Sequence, residues 1–247
     1  MKILGIDIGG SAIKGAPVDT TTGELLAERH RIETPGLLTP AQMARTVAAL
    51  AAHFAWKGPI GVGFPGVVRK HTQVLAVGNL HPRFVGCDVG RLFRTATRCP
   101  VWVINDADAA GLAEMRFGAG RRRRDTVLLL TFGTGVGSAL FYRGALYPNT
   151  ELGRWTFKGK PVERYVSAAV RKAQGLSWAQ WGRRVDGYLG EVETILWPDL
   201  IIIGGGVSAK SAKFLPLLHT RAKVVPARYR NRAGIIGAAL HAAECRK

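Results

Sequence analysis

Cysteine, acidic residues and long apolar runs are all scarce in this chain of 247 residues. The three cysteines, Cys87, Cys99 and Cys245, are far apart and form no CxxC pair, which favours a reducing compartment and argues against a zinc site. No apolar run reaches the roughly 18 residues that span a bilayer, and no signal-peptide pattern precedes the first strand-like segment. We therefore expect a soluble cytoplasmic protein with no membrane partner.

Negative charge is also scarce relative to positive charge. The chain has 17 aspartates and glutamates against 35 lysines and arginines, and its formal net charge is +18 at pH 7. A field of that sign attracts polyanions. Nucleic acid, an acidic membrane and long-chain phosphate are the candidate partners, and a merely solvated basic surface is the alternative. The charge alone does not choose among them.

The pattern of apolar segments predicts an α/β fold. A hydrophobic content of 47% is that of a globular protein with a core. Short apolar runs such as 59–64 and 101–104 are typical of strands that helices bury on both faces. Capping boxes at Thr39 and Ser177 predict two helix starts. The predicted strands are 2–7, 12–18, 24–32, 59–64, 101–104, 126–132, 136–142 and 199–203, and the other predicted helices are 107–117 and 233–243.

Two glycine-rich turns recur at matching places between strands. Residues 7–11 (DIGGS) join the first two predicted strands, and residues 131–135 (TFGTG) join a later pair. Two similar hairpins predict two similar α/β lobes on either side of a cleft. We place the small N-terminal lobe at residues 1–106 with the C-terminal helix 233–247, and the larger lobe at 107–232.

Both turns have the character of a phosphate cradle, because outward backbone N–H groups bind anions and glycine leaves room for them. In the first turn a carboxylate at the strand end is suited to hold Mg²⁺ through water, while a hydroxyl and an amine reach phosphate oxygens. The alternative for this turn is an ordinary hairpin with a capping aspartate. The candidate phosphate-binding residues are Asp7 (also the Mg²⁺ residue), Gly9, Gly10, Ser11, Lys14, Thr131, Gly133, Thr134 and Gly135.

Asp106 is the candidate catalytic base. It follows the predicted strand 101–104, at the strand end where open α/β sheets place their ligands. Phosphoryl transfer to an alcohol needs one carboxylate that accepts the hydroxyl proton. The alternative for Asp106 is a helix N-cap, and the nearby Asp108 is better explained by the helix dipole.

Four consecutive arginines precede the strand that leads into the second turn. Their guanidinium groups are suited to hold the tail of a polyanion beyond the transferred phosphate, and a solvated surface loop is the alternative. The acids Glu151 and Glu163 are ambiguous: a carboxylate suits vicinal sugar hydroxyls, but taken alone an exposed loop acid is the better interpretation of Glu151. The candidate polyphosphate-tail residues are Arg121, Arg122, Arg123 and Arg124.

Several uncommon strings occur in one order along the chain. They are DIGGSAIKGAPVD (7–19), NDADAAGLAEMRFGAG (105–120), LTFGTGVGSALF (130–141), PNTELG (148–153), WPDLIIIGGGVS (197–208) and AGIIGAAL (233–240). Together they resemble the ROK family (repressor, open reading frame, kinase), and within it the polyphosphate glucokinases, also known in forms that accept ATP and mannose. The likeness runs over nearly the whole chain.

The resemblance implies a bilobed actin-like ATPase (ribonuclease H-like) fold and a Mg²⁺-dependent kinase that transfers phosphoryl from polyphosphate or ATP to the 6-hydroxyl of glucose, as in glycolysis. It implies a homodimer without zinc, and Asp106 as base. The family's repressors need a DNA-binding domain before the first strand, which begins near residue 3, so no nucleic-acid partner is expected. The implied sugar contacts are Asn79, Asn105, Asp106, Glu151, Arg154 and Glu163, and the implied adenosine contacts are Gly204, Gly205 and Gly206.

The chain departs from the family pattern around the implied sugar site. Arg154 stands where the family has a sugar-contacting histidine, and arginine is longer and permanently charged. Residues 79–81 read Asn-Leu-His in place of Asn-Val-Asp, and Lys158 and Lys160 replace an acidic stretch. These changes leave the identity of the sugar open. Two rival functions also stay open: an ATP-only hexokinase and a non-catalytic sugar- or polyanion-binding protein.

Overall fold

A computed structural model describes every residue of the chain except Pro35, Asn79 and Lys247. It divides into two compact units: unit 1 is Met1–Ala113 with Arg232–Lys247, and unit 2 is Glu114–Asn231. The division falls inside a helix, Asp106–Phe117. The lobe boundaries predicted from the sequence, 1–106 with 233–247 and 107–232, remain a prediction.

The secondary structure alternates between strands and helices in both units. The strands are β1 (Lys2–Ile8), β2 (Ala12–Asp19), β3 (Glu24–Leu25), β4 (His30–Glu33), β5 (Ile60–Phe64), β6 (Gly66–Arg69), β7 (Gln73–Val77), β8 (Val101–Asn105), β9 (Val127–Phe132), β10 (Val136–Tyr142), β11 (Ala145–Tyr147), β12 (Thr156–Phe157), β13 (Lys160–Pro161), β14 (Leu200–Gly204) and β15 (Lys223–Pro226). The α-helices are α1 (Pro40–His53), α2 (Val89–Thr97), α3 (Asp106–Phe117), α4 (Glu163–Val166), α5 (Ala168–Ala173), α6 (Trp178–Leu196) and α7 (Ala233–Cys245). Among the described residues, no helix has both the length and the apolar character that crossing a bilayer requires.

The main sheets of the two units have the same strand order. The order is β3-β2-β1-β5-β8 in unit 1, with β4 also paired to β2, and β11-β10-β9-β14-β15 in unit 2. Each sheet contains an antiparallel hairpin, β1–β2 or β9–β10, whose first strand continues into parallel pairs. Both predicted glycine hairpins are therefore confirmed, and each turn follows the carboxyl end of a central strand.

Helix α7 packs directly on the sheet of unit 1. Glycines on the strands allow this close approach, because a Cβ at Gly5 would overlap the backbone carbonyl of Ile235 and a Cβ at Gly61 would overlap that of Ala238. Strand β5 is buried along its whole length, as the apolar run predicted. The C-terminal segment therefore completes the core that holds the first hairpin.

Both predicted capping boxes are present. The Thr39 hydroxyl accepts from the Gln42 N–H at 3.4 Å, and the Gln42 side chain accepts from the Thr39 N–H at 2.9 Å. Ser177 and Gln180 repeat the arrangement at the start of α6. Helix α6 then buries Trp181, whose ring packs edge-on against Phe132 with centroids 5.5 Å apart. This contact supports the end of β9, from which the second glycine turn departs.

The single strand predicted over 24–32 is wrong in its continuity. The structure has two short strands there, β3 and β4, which pair with different parts of β2. Between the two pairings lies Pro17, whose carbonyl accepts from the Leu26 N–H at 2.8 Å. Because proline has no N–H to donate, the ladder cannot continue past this position.

Candidate functional site

The first glycine turn is anchored by its own backbone and flanked by opposite charges. The Gly9 N–H donates to the Ala12 carbonyl at 3.0 Å. Asp7 and Lys14 face each other across the hairpin, and the Lys14 Nζ lies 4.0 Å from the Asp7 Oδ2. Ser11 at the tip is exposed. The turn therefore presents backbone, hydroxyl and amine groups beside one carboxylate.

The Asp7 carboxylate lies against the first turn of α7. A Cβ at Gly234 would come 2.8 Å from the Asp7 Cγ, so glycine at this position makes room for the carboxylate. Burial raises the pKa of Asp7, while the positive charges of Lys14 and Arg29 lower it. A partly dehydrated carboxylate of this kind gains from a further positive charge.

Asp106 is the first residue of α3 and is half-buried. The capping oxygen of this helix belongs to Asn105, whose Oδ1 accepts from the N–H groups of Ala107 at 2.9 Å and Asp108 at 3.0 Å. Asp106 Oδ1 also accepts from the Ala107 N–H at 2.9 Å. The N-cap interpretation of Asp106 is therefore wrong, because the preceding asparagine makes the capping hydrogen bonds.

Asn105 itself is buried, and both the nitrogen and the oxygen of its side-chain amide form hydrogen bonds. Its Nδ2 donates to the Gly66 carbonyl at 3.1 Å, while its Oδ1 caps α3. These contacts give Asn105 a positioning role for the adjacent Asp106. The sugar contact expected from Asn105 stays a prediction.

Asp7 and Asp106 lie at the same edge of the sheet of unit 1. The parallel register aligns Asp7 with Gly63 on β5, and Gly63 with Ile104 on β8. With neighbouring strands about 4.8 Å apart, the backbones at Asp7 and Ile104 are roughly 10 Å apart. Two carboxylates therefore lie at the carboxyl ends of β1 and β8 in one unit, Asp7 just before the end of β1 and Asp106 just after β8, with the first glycine turn beside them.

The second glycine turn carries no charged side chain, and the backbone groups of Gly133 are hydrogen-bonded within unit 2. The Gly133 N–H donates to the Gly135 carbonyl at 3.0 Å, and the Gly133 carbonyl accepts from the Ala169 N–H at 3.1 Å. A Cβ built at Gly133 would meet no described atom within 4 Å. The space beside Gly133 is therefore open, and steric contacts with the described residues do not require glycine at this position.

The loop before and around Glu151 is tied to the second hairpin. Ser138 Oγ donates to the Thr150 carbonyl at 2.8 Å and accepts from the Leu152 N–H at 3.1 Å. Thr150 Oγ1 donates back to the Ser138 carbonyl at 3.0 Å. A Cβ at Gly153 would overlap the Val136 carbonyl. Hydrogen bonds and close packing therefore join this loop to the second hairpin within unit 2.

Three predicted sugar-site residues come together on that loop and the start of α4. The Arg154 Nε lies 2.9 Å from the Glu151 Oε2. Burial raises the pKa of Glu151, the charge of Arg154 lowers it, and the negative charge of Glu163 raises it further. Two acids and the arginine that replaces the expected histidine thus share one electrostatic environment.

The glycine triplet lies beside the second hairpin within unit 2. Gly204 is aligned with Thr131 across the parallel β9–β14 pair. Gly205 has a φ of 76°, and a Cβ there would lie 2.5 Å from the Phe132 carbonyl oxygen, so glycine is required on both counts. The predicted nucleotide-binding and phosphate-binding residues of this unit are neighbours.

The four arginines differ in their surroundings. Arg123 makes a two-point ion pair with Asp125, and Arg124 donates to the Arg143 carbonyl at 3.2 Å. Arg121 and Arg122 are exposed. Arg123 and Arg124 are therefore partly engaged by the protein itself. Arg121 and Arg122 are better placed to bind an anion from solution.

Sequence reasoning missed a basic pocket on α6. Its volume is about 380 Å³, and Lys158, Arg183 and Arg184 line it together with Tyr165 and Gln180. The Arg184 guanidinium lies 4.7 Å from the Tyr165 ring centroid, and the Lys158 Nζ lies 5.7 Å from it. The signal was present as helical spacing, because residues three and four positions after Gln180 share its face of α6.

The structure thus groups the predicted residues by unit. Asp7, Gly9, Ser11, Lys14 and Asp106 belong to unit 1, and the second hairpin, the glycine triplet, Glu151, Arg154, Glu163 and the arginine run belong to unit 2. The expected sugar contact Asn79 lies outside the described residues.

Comparison with known proteins gives consistent matches. The ROK family model matches residues 3–151. Polyphosphate glucokinase of Mycobacterium tuberculosis is 44% identical over 238 residues, which cover 96% of this chain and 89% of that protein. The crystal structure of inorganic polyphosphate/ATP-glucomannokinase from Arthrobacter sp. strain KM has a TM-score of 0.96 at 42% identity and covers 99% of both chains.

A ROK family glucokinase from Streptomyces griseus has a TM-score of 0.82 at 23% identity, with 99% of this chain and 100% of that chain covered, which is a likeness of fold. These neighbours have the bilobed actin-like ATPase fold of ROK sugar kinases, and the predicted α/β fold class is confirmed. With a family model over more than half of its length and a relative of this similarity, the chain belongs to the ROK family.

Proposed function

We propose that this protein is a sugar kinase that transfers the terminal phosphoryl group of inorganic polyphosphate, or of ATP, to the 6-hydroxyl of glucose. The observation that carries the proposal is the carboxylate Asp106, half-buried and positioned by the Asn105 cap, at the same sheet edge as Asp7 and the first glycine turn. The names of the similar proteins from M. tuberculosis and Arthrobacter support the choice of donor and acceptor.

In the proposed reaction the oxygen of the sugar 6-hydroxyl attacks the terminal phosphorus of the donor. Asp106 accepts the proton that this hydroxyl loses. The bond from that phosphorus to the bridging oxygen breaks, and the shortened donor leaves with the negative charge. Catalysis of this step depends on positioning and on neutralising charge. The Asn105 hydrogen bonds and the helix start keep Asp106 in one orientation, so little motion is needed when the substrate binds.

The Asp7 carboxylate fits Mg²⁺, since hard cations prefer carboxylate oxygens and burial raises the pKa of this acid despite the nearby charges of Lys14 and Arg29. When bound, Mg²⁺ neutralises developing charge on the phosphates. Lys14, 4.0 Å from Asp7, supplies a second positive charge at the same turn. Gly234 leaves room for the Asp7 carboxylate, which a Cβ at that position would overlap.

The donor contacts we propose come from both glycine turns and from basic residues of unit 2. The open space beside Gly133 and the hydroxyl of Thr134 suit phosphate oxygens. Exposed Arg121 and Arg122, and the basic pocket around Tyr165, suit the tail of a polyphosphate chain. Gly204, Gly205 and Gly206 are the residues we assign to adenosine when ATP is the donor.

We assign the sugar contacts to Glu151, Glu163 and Arg154, with Asn79 and Asn105 as further candidates. Carboxylates accept from vicinal hydroxyls, and the Arg154–Glu151 pair at 2.9 Å fixes one of them in place. We further propose a homodimer that acts in the cytoplasm and supplies glucose 6-phosphate to glycolysis. Light scattering coupled to gel filtration tests the dimer.

The experiment that tests the function is an initial-rate matrix of donors and sugars with purified protein. Each of polyphosphate and ATP is paired with glucose, mannose and glucosamine, and the sugar phosphate is detected directly. We expect activity with polyphosphate and glucose. Asp106→Asn should reduce turnover by roughly 10²–10⁴-fold, the usual contribution of a general base.

The matched control is Asp88→Asn. Asp88 also starts a helix, where its Oδ1 accepts from the Arg91 N–H at 2.7 Å, and asparagine can keep that hydrogen bond. We expect the control to have normal turnover. Near-normal turnover in Asp106→Asn would remove the assignment of the base.

A non-catalytic sugar- or polyanion-binding protein is the second candidate, and one observation favours it. Arg154 already occupies one oxygen of Glu151, so a carboxylate meant for the sugar is engaged by the protein. Binding of glucose and polyphosphate without any sugar phosphate would support this candidate. Activity with ATP and none with polyphosphate would instead identify the ATP-only hexokinase.

A further inference from the structure

Three potential metal ligands meet in unit 1, away from the residues assigned above. They are His71, His241 and Cys245, and one ligand atom of each lies within 4.8 Å of the other two. The Cys245 Sγ is 3.6 Å from the His241 Nε2, and the two imidazole ring centroids are 4.8 Å apart. His241 is buried, Cys245 half-buried and His71 exposed, so the cluster is sheltered but reachable from solvent.

The fold holds all three side chains in place. His241 and Cys245 are four residues apart on α7 and therefore share one face of that helix. His71 sits in the turn between β6 and β7, where its φ of 59° lies in the left-handed region. Its carbonyl accepts from the Val103 N–H at 3.0 Å, which ties the turn to β8. The backbone that carries His71, the third ligand, is therefore fixed by a hydrogen bond to β8.

The chemistry of the three groups matches a thiophilic metal ion. Two imidazoles and one thiol are the donors that Zn²⁺ and its transition-metal neighbours prefer, and three protein ligands with one open position are typical of zinc sites that keep a water. In a tetrahedral site the Zn–S and Zn–N bond lengths put sulfur and nitrogen about 3.6 Å apart. The observed Sγ–Nε2 distance of 3.6 Å is that separation.

We propose that His71, His241 and Cys245 form a binding site for a Zn²⁺-class transition-metal ion, with water in the fourth position. On binding, Cys245 releases its thiol proton to solvent and the thiolate bonds to the metal. Each histidine supplies one ring nitrogen to the metal. A neutral imidazole offers its lone pair without losing a proton.

This site is separate from the proposed phosphoryl-transfer residues. His241 follows Gly234, the glycine under Asp7, by seven positions, which is about 10 Å along a helix. A metal there would link the C-terminal half of α7 to the β6–β7 turn. Because it binds the folded chain, the metal should stabilise unit 1 by mass action.

The test is a titration of the full chain, freed of metal by a chelator, with Zn²⁺ and then with Co²⁺. We expect one ion per chain and, for Co²⁺, a thiolate-to-cobalt charge-transfer band together with the intense visible bands of tetrahedral coordination. Cys245→Ser should abolish the thiolate band. Cys245→Ser and His71→Ala should each weaken Zn²⁺ binding by more than the roughly 10–100-fold that loss of an outer-shell partner costs.

Cys87→Ser is the matched control, since Cys87 is half-buried and belongs to no such cluster among the described residues. It should keep the affinity and the cobalt spectrum. Zn²⁺ should raise the Tm of the wild type and of this control, and leave the two ligand variants unchanged. Failure to bind one ion per chain, a cobalt spectrum without the thiolate band, or unchanged affinity in both ligand variants would overturn the proposal. The wild-type cobalt spectrum decides even where a variant folds poorly.

Discussion

The two glycine hairpins occupy the same place in two sheets of the same strand order, yet they are built from different chemistry. The first has the charged pair Asp7 and Lys14 across its strands and a helix start against its carboxylate. The second has only hydroxyls and bare backbone at its tip and is tied to the loop that carries Glu151. The two hairpins therefore share their topology but differ in chemistry: the first carries charged side chains, and the second carries hydroxyl groups and glycines.

Within the comparison of the two hairpins, the largest expected effect comes from removing the charge of the first hairpin. Asp7→Asn should lower kcat by about 10²–10³-fold, the range seen when one preorganised electrostatic contact to a transition state is lost. Initial rates at saturating donor measure this. Asp19→Asn, at the far end of the same hairpin, is the control and should be near normal. An equal loss in both variants would mean that the hairpin tolerates no Asp-to-Asn change.

Substituting Gly153 and Gly133 by alanine distinguishes a glycine needed for packing inside the protein from one needed for ligand binding. Gly153→Ala should destabilise the protein by about 1–3 kcal/mol, because its Cβ would overlap the Val136 carbonyl. Gly133→Ala should leave the Tm near that of the wild type, because the space around it is open, and should raise the KM for the donor. Thermal unfolding and donor kinetics of both variants decide. A normal donor KM in Gly133→Ala would remove this turn from the donor site.

The link between the second hairpin and its loop gives a smaller effect. Ser138→Ala leaves the half-buried carbonyl of Thr150 and N–H of Leu152 without their partner and should cost about 1–3 kcal/mol of stability. Thr150→Val removes the reciprocal hydrogen bond to the Ser138 carbonyl. A double-mutant cycle in urea unfolding should give a coupling of about 0.5 kcal/mol or more. Strict additivity would show that hairpin and loop are independent.

The smallest expected effect is a change in the pH dependence of the KM for glucose, which depends on Glu151 in the loop after the second hairpin. Burial and Glu163 raise the pKa of Glu151, and Arg154 lowers it. Because protonated Glu151 accepts hydrogen bonds poorly, the KM for glucose should rise as the pH falls through that pKa, at a higher pH than for an ordinary glutamate. Arg154→Gln removes the lowering charge, so the rise should begin at a still higher pH. A profile that is the same in both proteins would contradict this role of Arg154.

Much of the fold follows from local patterns. The capping boxes at Thr39 and Ser177, the buried run of β5 and the two glycine turns are each set by a few neighbouring residues, and all are present in the structure. The break between β3 and β4 was not predicted, because it depends on Pro17 in the partner strand. The alternative interpretation of Asp106 as the N-cap of α3 lies one residue late, since Asn and Asp both cap well and Asn105 makes the capping hydrogen bonds.

The candidate site divides in the same way. The sequence alone determined the types of residue at the two turns, the carboxylate after β8 and the family to which the motifs point, because these are matters of composition and order. Only the tertiary structure decided that Gly234 makes room for Asp7, that Gly153 joins a loop to a hairpin, and that His71 meets His241 and Cys245. Those contacts join residues far apart in the chain, and their geometry arises from the packing of helices on sheets rather than from any local signal.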